Sequence, residues 1–272
     1  MPLKHIFFVV FYFCCCFTSY AAVKLEWSFC KEGSAAYLSA QVPGTVHQDL
    51  LRHHRIPNPY WGTNIDSIQW VGKSNWVYQT QFNYAIHNQH KQSIQLVFEG
   101  IDTYADIYFN NVLIGKTDNM FRTWRFDISK LIQAKNNTLK VILFAIEPKA
   151  DSLAKQYATV LPCENTRNFV RKAQYHFGWD WAPRINTLGF AYPISIDVKA
   201  KSTIDYLLVN TLALTDSSAQ LQLKFELNSA LSKGAFKAQS QYFKTFQFQA
   251  NEQLNQVVFI DQPKLWWPVG QG

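Results

Sequence analysis

Residues 93–115, SIQLVFEGIDTYADIYFNNVLIG, predict short β-strands joined by tight turns. In the first part apolar and polar positions alternate with the two-residue period of a strand, and one face consists of Ile94, Leu96 and Phe98. In the second part, ADIYFNNVLIG predicts a hairpin, because Asn110-Asn111 tolerates the positive φ angles of a two-residue turn. This stretch therefore favours an antiparallel sheet.

The rest of the chain supports an all-β fold. Residues 138–146, TLKVILFAI, predict a fully buried strand, and strands recur about every 8–12 residues without alternating helices, which is typical of a β-sandwich or jelly roll. One short helix is predicted in residues 44–54, GTVHQDLLRHH, with Thr45 as its N-cap. Its apolar face is expected to be Val46, Leu50 and Leu51, and its solvated face to carry His47, His53 and His54.

Composition sets limits on the function. Apolar residues make up 48% of the 272-residue chain and charged residues 17%, so a packed core is expected. Aromatic residues reach 16%, including nine tryptophans, which suits large β-sheet cores or flat surfaces that stack on sugars. The formal charge of +7 is spread along the chain without a basic run, so no nucleic-acid partner is expected.

The first 22 residues predict a secretory signal peptide. Lys4 precedes the apolar run IFFVVFYFCCCF, and SYAA supplies small residues for cleavage after Ala21 or Ala22. The predicted location is therefore periplasmic or extracellular, or lysosomal in an animal, with no membrane attachment after cleavage; an uncleaved anchor is the alternative. Cys30 and Cys163 then remain, either as buried thiols or as one disulfide, and neither has metal-ligand spacing around it.

The composition and the apolar pattern of the sequence change near residue 200. Aromatic residues become fewer, and plain alternation such as AQLQLKFELNS takes over. We therefore predict a jelly-roll domain over residues 23–200 and a second β-sandwich over residues 201–272. The second sandwich is expected to be incomplete, because residues 263–272, PKLWWPVGQG, begin an apolar strand that has no partner after it. The chain is thus predicted to be the front part of a longer protein.

Residues 175–183, YHFGWDWAP, place Asp180 between Trp179 and Trp181. An ionised carboxylate accepts several hydrogen bonds, and sugar hydroxyl groups are suitable donors. In the alternative interpretation, Asp180 caps a turn or pairs with Arg184. If this segment is extended, the two indoles point in opposite directions, and one of them is expected in the core. Four other tryptophans are predicted to pack rather than bind: Trp61, Trp70, Trp76 and Trp124.

Five segments, in order along the chain, resemble the N-terminal part of β-mannosidases. They are VPGTVHQDLLRHHRIPNPYWGTN, WVGKSNWVYQTQF, FEGIDTYADIYFNNVLIGKTDNMFRTWRFDIS, VRKAQYHFGWDWAPR and LWWPVGQG. The resemblance implies a sugar-binding jelly roll, then an immunoglobulin-like sandwich, then a (β/α)8 catalytic barrel. The segment GIDTYADIYFNN alone also fits galactosidases and glucuronidases, whereas RKAQ followed by WDW is similar to the mannosidases.

The resemblance implies a role for the WDW segment in the pocket for a terminal mannose. Asp180 would accept hydrogen bonds from the sugar, and Trp179 and Trp181 would form walls. Arg171 and Gln174, in RKAQ, would orient Asp180 or touch the substrate, or else join a hydrogen-bond network within the domain. Ala182 departs from the glycine expected before the proline.

No catalytic residue, metal ligand or cofactor site is expected within this chain. Retaining glycosidases use two carboxyl groups about 5–5.5 Å apart. The resemblance places both on a barrel, which takes about 250 residues and would follow Gly272. Glu252 follows an asparagine as the acid/base glutamate does, but it lies in a predicted turn and is rejected. The expected partners are terminal β-mannosides and the protein's own barrel.

Three functions remain open on these grounds. The first is the front segment of an exo-acting, retaining β-mannosidase, which contributes pocket walls but no proton transfer. The second is a free-standing carbohydrate-binding module, for which a jelly roll and exposed aromatic rings suffice. The third is the corresponding segment of a β-galactosidase or β-glucuronidase.

Overall fold

The computed structural model describes residues 25–85, 92–157, 160–200, 204–227, 235–240, 243–249 and 255–270. The predicted signal peptide lies outside these residues, as does Glu252. The strands are β1 (Trp27–Lys31), β2 (Leu38–Ala40), β3 (Gly44–Thr45), β4 (Trp76–Phe82), β5 (Gln92–Phe98), β6 (Ile101–Asp102), β7 (Tyr104–Phe109), β8 (Val112–Asp118), β9 (Trp124–Asp127), β10 (Asn137–Phe144), β11 (Gly189–Phe190), β12 (Ser195–Ala200), β13 (Ile204–Leu214), β14 (Ser218–Leu227), β15 (Ala235–Ser240), β16 (Phe243–Gln249) and β17 (Asn255–Asp261). The helices are α1 (Val46–Arg52), α2 (Asn64–Ser67), α3 (Glu147–Ala154), α4 (Asn165–Phe169) and a 3-10 helix (Gln174–Phe177).

Three sheets surround one core and confirm the all-β prediction. A six-stranded antiparallel sheet has the order β2-β1-β4-β10-β7-β8, and two three-stranded sheets have the orders β3-β11-β6 and β12-β5-β9. Aromatic rings connect the layers: Tyr78 stacks on Phe29 at a centroid distance of 5.5 Å and meets Phe190 edge-on at 5.3 Å. Because these rings come from β4, β1 and β11, the core packs one sheet against another, as in a β-sandwich.

The predicted hairpin is confirmed. β7 and β8 pair antiparallel around Asn110 and Asn111, whose φ angles are 49° and 66°. Positive φ at both central residues matches the twist of a two-residue hairpin, and asparagine tolerates it better than most residues.

The prediction of a fully buried strand β10 needs correction. Leu139, Val141 and Leu143 are fully buried, whereas the residues between them are half-buried. On the second face, the ammonium group of Lys140 lies 4.7 Å from the centre of the Tyr108 ring. Only one face of the six-stranded sheet meets the core, so the strand alternates despite its apolar sequence.

Helix α1 begins as predicted. The Thr45 hydroxyl accepts a hydrogen bond from the Gln48 backbone N–H at 3.3 Å, and the Gln48 side chain accepts one from the Thr45 N–H at 2.9 Å. This reciprocal pair is a capping box. Val46 and Leu50 are buried as expected, but the prediction for Leu51 is wrong, because one residue turns the helix by about 100° and leaves Leu51 exposed.

The prediction that all three histidines of this region face solvent is wrong for His47. Only 8% of His47 is exposed, since its side chain lies on the packed face of α1, whereas His54 is exposed. Burial lowers the pKa of His47 to about 4, and repulsion from Lys172 and His176 contributes. On the same helix, the buried Asp49 carboxylate accepts a hydrogen bond from the Tyr78 hydroxyl at 2.7 Å, although burial raises the pKa of Asp49.

The structure tests the predictions for four tryptophans and for the two cysteines. Trp76 is buried and Trp124 packs against the core, as predicted. Trp61 is exposed, which contradicts the prediction, because it lies in the connection between α1 and β4, outside the sheets. Trp70 lies in the same connection and is 41% exposed, but its ring packs against that of Trp76 at a centroid distance of 5.8 Å, as predicted. Both thiols are free, so the disulfide alternative for Cys30 and Cys163 is excluded; Cys30 is buried and Cys163 is exposed.

The strands after residue 203 form sheets of their own. One has the order β13-β14-β17, and β15 pairs with β16. Large apolar side chains on the first of these sheets are exposed, including Leu207, Val209 and Phe259. The division of the chain at residue 200 stays a prediction. Within the described ranges, we find no helix with both the length and the apolar character needed to cross a bilayer.

We expect the stability of the fold to decrease in acid partly through His47. The folded pKa near 4 lies below the ordinary value of 6.5, so between these values the unfolded chain binds a proton that the folded chain does not. His47 should therefore account for a loss of about 3 kcal/mol as the pH falls from 6.5 to 4. Urea unfolding of the His47→Gln variant should show a shallower dependence on pH.

The matched control for this test is His54→Gln, because His54 is exposed just beyond the same helix. It should leave the dependence on pH unchanged. If His47→Gln has the same acid slope as the parent protein, the buried, neutral state of His47 is refuted.

Candidate functional site

The segment that carries Asp180 is a loop with a tight turn at its tip. The 3-10 helix Gln174–Phe177 ends at Gly178, whose φ of 82° and ψ of 161° belong to a region that is essentially restricted to glycine. Trp179 and Ala182 then exchange backbone hydrogen bonds of 2.9 and 3.3 Å. The turn that they close has Asp180 and Trp181 at its centre. We call residues 174–187 the WDW loop.

The Asp180 side chain is exposed. Among the described residues, no hydrogen bond or ion pair involves its carboxylate. The alternative in which Asp180 pairs with Arg184 does not hold, because Arg184 forms its ion pair with Glu164. The carboxylate of Asp180 therefore keeps its acceptor sites open to a ligand.

The two indoles beside Asp180 are both on the surface. Trp179 is 64% exposed and Trp181 is 77% exposed. The expectation that one of them packs in the core is wrong, because it assumed an extended segment whereas residues 179–182 form a turn. Two accessible aromatic rings on either side of one acid offer apolar faces together with a hydrogen-bond acceptor.

Next to this turn lies a shallow depression of about 610 Å³. It is lined by Arg167, Phe177, Gly178, Trp179, Asp180, Ala182 and Arg184. The Arg167 guanidinium donates hydrogen bonds to the carbonyl groups of Phe177 and Gly178 at 2.8 and 2.6 Å. Glu164 bridges Arg167 and Arg184, and the two guanidinium groups lie 5.6 and 5.8 Å from the centre of the Phe177 ring. Both arginines thus make contacts that hold the loop, whereas Asp180 has no such partner in the part of the chain that the structure describes.

Arg171 and Gln174 are exposed at the base of the WDW loop. The Gln174 amide donates to the Arg167 carbonyl at 3.4 Å, and the Arg171 carbonyl accepts a hydrogen bond from Met120 N–H at 3.0 Å. The thioether sulfur of Met120 in turn accepts one from Ala173 N–H at 3.0 Å. The base of the loop is therefore held by backbone groups together with the Met120 sulfur, and Arg171 is exposed beside it.

Lys172 was missed by sequence reasoning, although it lies between the two residues that were chosen. It is 2% exposed, forms an ion pair with Asp102 and donates a hydrogen bond to the Thr187 carbonyl at 2.7 Å. Burial lowers the pKa of Lys172, and the attraction of Asp102 opposes this shift. Asp102 directly follows the buried Ile101, but Lys172 follows the exposed Arg171, so the neighbours of Lys172 in the sequence did not mark it as buried.

His176 is a second group that the sequence did not indicate. Its Nδ1 lies 3.3 Å from the Ile185 carbonyl and 3.2 Å from the Thr187 hydroxyl, and these neighbours place the ring proton on Nδ1. Burial lowers the pKa of His176, as does repulsion from Lys172. Its Nε2 is buried and has no hydrogen-bond partner among the described residues.

A larger cavity of about 800 Å³ opens between the sheets of the sandwich. Most of its lining is apolar, and Arg125 and Asp197 at its side are paired with each other at 2.9 Å. Unlike the depression beside the WDW loop, it contains none of the predicted site residues. Over the described ranges, no cluster of three or more histidine, cysteine or acidic side chains could hold a metal ion.

Curated β-mannosidases are similar in sequence to this chain. A β-mannosidase of Mus musculus is 30% identical over 272 aligned residues, which cover 91% of this chain and 31% of the mouse protein. A β-mannosidase B of Aspergillus terreus is 31% identical over 261 residues, covering 90% of this chain and 31% of the fungal protein. The chain thus spans about a third of the length of the curated relatives that it matches.

Solved structures share the fold. The crystal structure of a β-D-mannosidase from Dictyoglomus thermophilum has a TM-score of 0.71 and 32% identity, covering 91% of this chain and 32% of that one. An exo-chitosanase of Amycolatopsis orientalis has a TM-score of 0.56 at 17% identity, which shows the fold alone. Residues 27–191 match the profile of the glycosyl hydrolase 2 galactose-binding domain-like family. Since this match covers more than half of the chain, the chain belongs to that family.

Proposed function

We propose that this chain is the N-terminal segment of an exo-acting, retaining β-mannosidase that removes terminal β-D-mannose from oligosaccharides or glycans. The observation that carries the proposal is the exposed carboxylate of Asp180, at the tip of a turn between two exposed indoles. The 30–32% identity to β-mannosidases over about nine tenths of the chain supports the choice of sugar.

In this proposal the WDW loop forms part of the wall of the mannose pocket. Asp180 accepts hydrogen bonds from two neighbouring sugar hydroxyl groups, on the side away from the bond that is cleaved. Charge-assisted hydrogen bonds of this kind are stronger than neutral ones. Trp179 and Trp181 offer faces against which the C–H groups of a pyranose pack, and they limit the positions that the carboxylate can take.

Arg171 and Gln174 have different roles in this proposal. Arg171 is the cation next to the loop whose side chain has no partner among the described residues, so it is available to a substrate hydroxyl or to a neighbouring acid. Gln174 is held by its contact with the Arg167 carbonyl and orients the start of the loop.

The proton-transfer chemistry would come from the protein's own catalytic barrel. A retaining mechanism needs an acid/base carboxyl and a nucleophilic carboxylate about 5–5.5 Å apart, and each must lie next to the glycosidic bond. In this proposal both groups lie beyond Gly272, and the present segment binds and orients the sugar. Cleavage of the predicted signal peptide, residues 1–22, would place the enzyme outside the cytoplasm.

We expect Asp180→Ala to lower kcat/KM for an aryl β-D-mannoside by roughly 100-fold or more in the full-length protein. Two hydrogen bonds to a charged acceptor contribute about 1.5–3 kcal/mol each, and about 1.4 kcal/mol corresponds to a factor of ten. The measurement is steady-state kinetics on purified protein, with circular dichroism and thermal unfolding to verify the fold.

The matched control is Asp216→Ala, which removes an exposed acid from the turn between β13 and β14. It should leave kcat/KM unchanged. If Asp180→Ala also retains full activity, Asp180 has no role in binding the substrate. If the parent protein prefers β-galactosides or β-glucuronides, the assignment of the sugar is refuted.

The 272-residue chain alone should release no product from an aryl β-mannoside, because the proposed acid/base and nucleophile are not part of it. Activity that co-purifies with the chain would contradict this expectation. Binding of free mannose to the chain should also be weak, since the barrel side of the pocket is missing; tight binding would favour a free-standing carbohydrate-binding module.

A further inference from the structure

One buried carboxylate connects the sandwich to both ends of the WDW loop. Asp102 lies at the end of β6, and its Oδ2 atom contacts the ammonium group of Lys172, which lies two residues before the start of the loop. The same Oδ2 accepts a hydrogen bond from the Thr187 hydroxyl at 3.0 Å, and Thr187 is the last residue of the loop. A single side chain of the β-sheet therefore fixes where the loop begins and where it ends.

Further contacts close this arrangement into a network. Lys172 donates to the Thr187 carbonyl at 2.7 Å, so its ammonium group bridges Asp102 and the far end of the loop. The Thr187 hydroxyl also lies 3.2 Å from Nδ1 of His176, which is three residues before Trp179. Ile185 N–H donates to the His176 carbonyl at 3.2 Å. The two arms of the loop are thus joined to each other and to the sheet.

A buried ion pair contributes little net stability to a fold, so stability is a weak explanation for its presence. Removing two charges from water is unfavourable, and apolar residues of similar volume often stabilise a fold equally well. Such a pair has directional contacts, however, and it accepts only one arrangement of the backbone groups around it. At 2% exposure Lys172 cannot reach a ligand at the surface, so an effect on substrate has to act through the loop.

We propose that Asp102 and Lys172 are positioning residues that hold the WDW loop in the conformation that presents Asp180 to the sugar. This inference rests on the proposed function, since it assigns a second pair of residues to the same pocket. Thr187 transmits the contact to the C-terminal arm of the loop. Neither Asp102 nor Lys172 touches the substrate.

The test uses the double variant Lys172→Met/Asp102→Asn in the full-length protein. It removes both charges together, so no unpaired charge stays buried, while the amide oxygen introduced at position 102 can still accept from Thr187. If the pair positions Asp180, kcat/KM for an aryl β-mannoside should fall at least tenfold while the unfolding temperature stays close to that of the parent. A purely structural pair predicts the reverse, with the unfolding temperature lowered and kcat/KM retained.

A double-mutant cycle with Asp180→Ala gives a readout that loss of stability would not produce. When Asp180 is absent, nothing is left for the pair to position, so Lys172→Met/Asp102→Asn should cause little further loss on the Asp180→Ala background. Full additivity of the two losses would overturn the proposal. The surface pair variant Lys116→Met/Asp106→Asn is the control, because this exposed ion pair of 2.9 Å joins β8 to β7 away from the loop.

Hydrogen–deuterium exchange separates this inference from the proposed function. Amides of residues 174–187 should exchange faster in the double variant and in the milder Thr187→Val variant, while those of β4 and β10 stay protected. This readout needs no activity, so it decides the positioning role even if the parent protein fails to cleave mannosides. Unchanged exchange in the loop would overturn the proposal, and the Thr187→Val variant keeps the test valid if the double variant does not fold.

Discussion

The exclusion of water from the contact between Asp102 and Lys172 is the constraint on which the candidate site depends. Charges in a low-dielectric interior require close partners. The segment before the WDW loop therefore has to lie where the ammonium group of Lys172 meets Asp102 and the Thr187 carbonyl. Asp102 is itself fixed, because β6 pairs with β11. The aromatic core therefore determines the geometry of a surface turn through a short series of polar contacts.

The outer face of the loop is held by hydrogen bonds and ion pairs that lie near solvent. Arg167 donates to the carbonyl groups of Phe177 and Gly178, and Glu164 forms an ion pair with both Arg167 and Arg184. These charges lie near solvent, where ion pairs contribute less and are screened by salt. Neither the inner network, which excludes water, nor the outer one, which salt screens, includes Asp180. Asp180 is therefore the acid of the turn that has no partner among the described residues.

The features that the sequence predicted correctly are those with local causes. The Asn110-Asn111 turn and the N-cap role of Thr45 follow from the preferences of a few adjacent residues. The position of Asp180 between two indoles was also visible, although its exposure was not. Alternation identified the strands but could not indicate that β10 has only one face on the core.

The errors came from contacts between residues that are distant in the sequence. His47 is buried because α1 packs it toward Lys172 and His176, more than a hundred positions away. Lys172 looked like an ordinary surface lysine until its partner, seventy positions earlier, was known. Trp61 is exposed because its connection lies outside the sheets, and no local pattern distinguishes it from buried Trp76.

The sulfur contact at the base of the loop has a chemical consequence. The chain contains two methionines, Met1 and Met120, and the thioether of Met120 accepts a hydrogen bond from Ala173, next to Lys172. Oxidation to the sulfoxide would replace a soft, weak acceptor by a polar oxygen of different length and direction. Besides the exposed thiol of Cys163, peroxide would therefore act at the point where the loop joins the sandwich, and a methionine sulfoxide reductase could reverse the damage there.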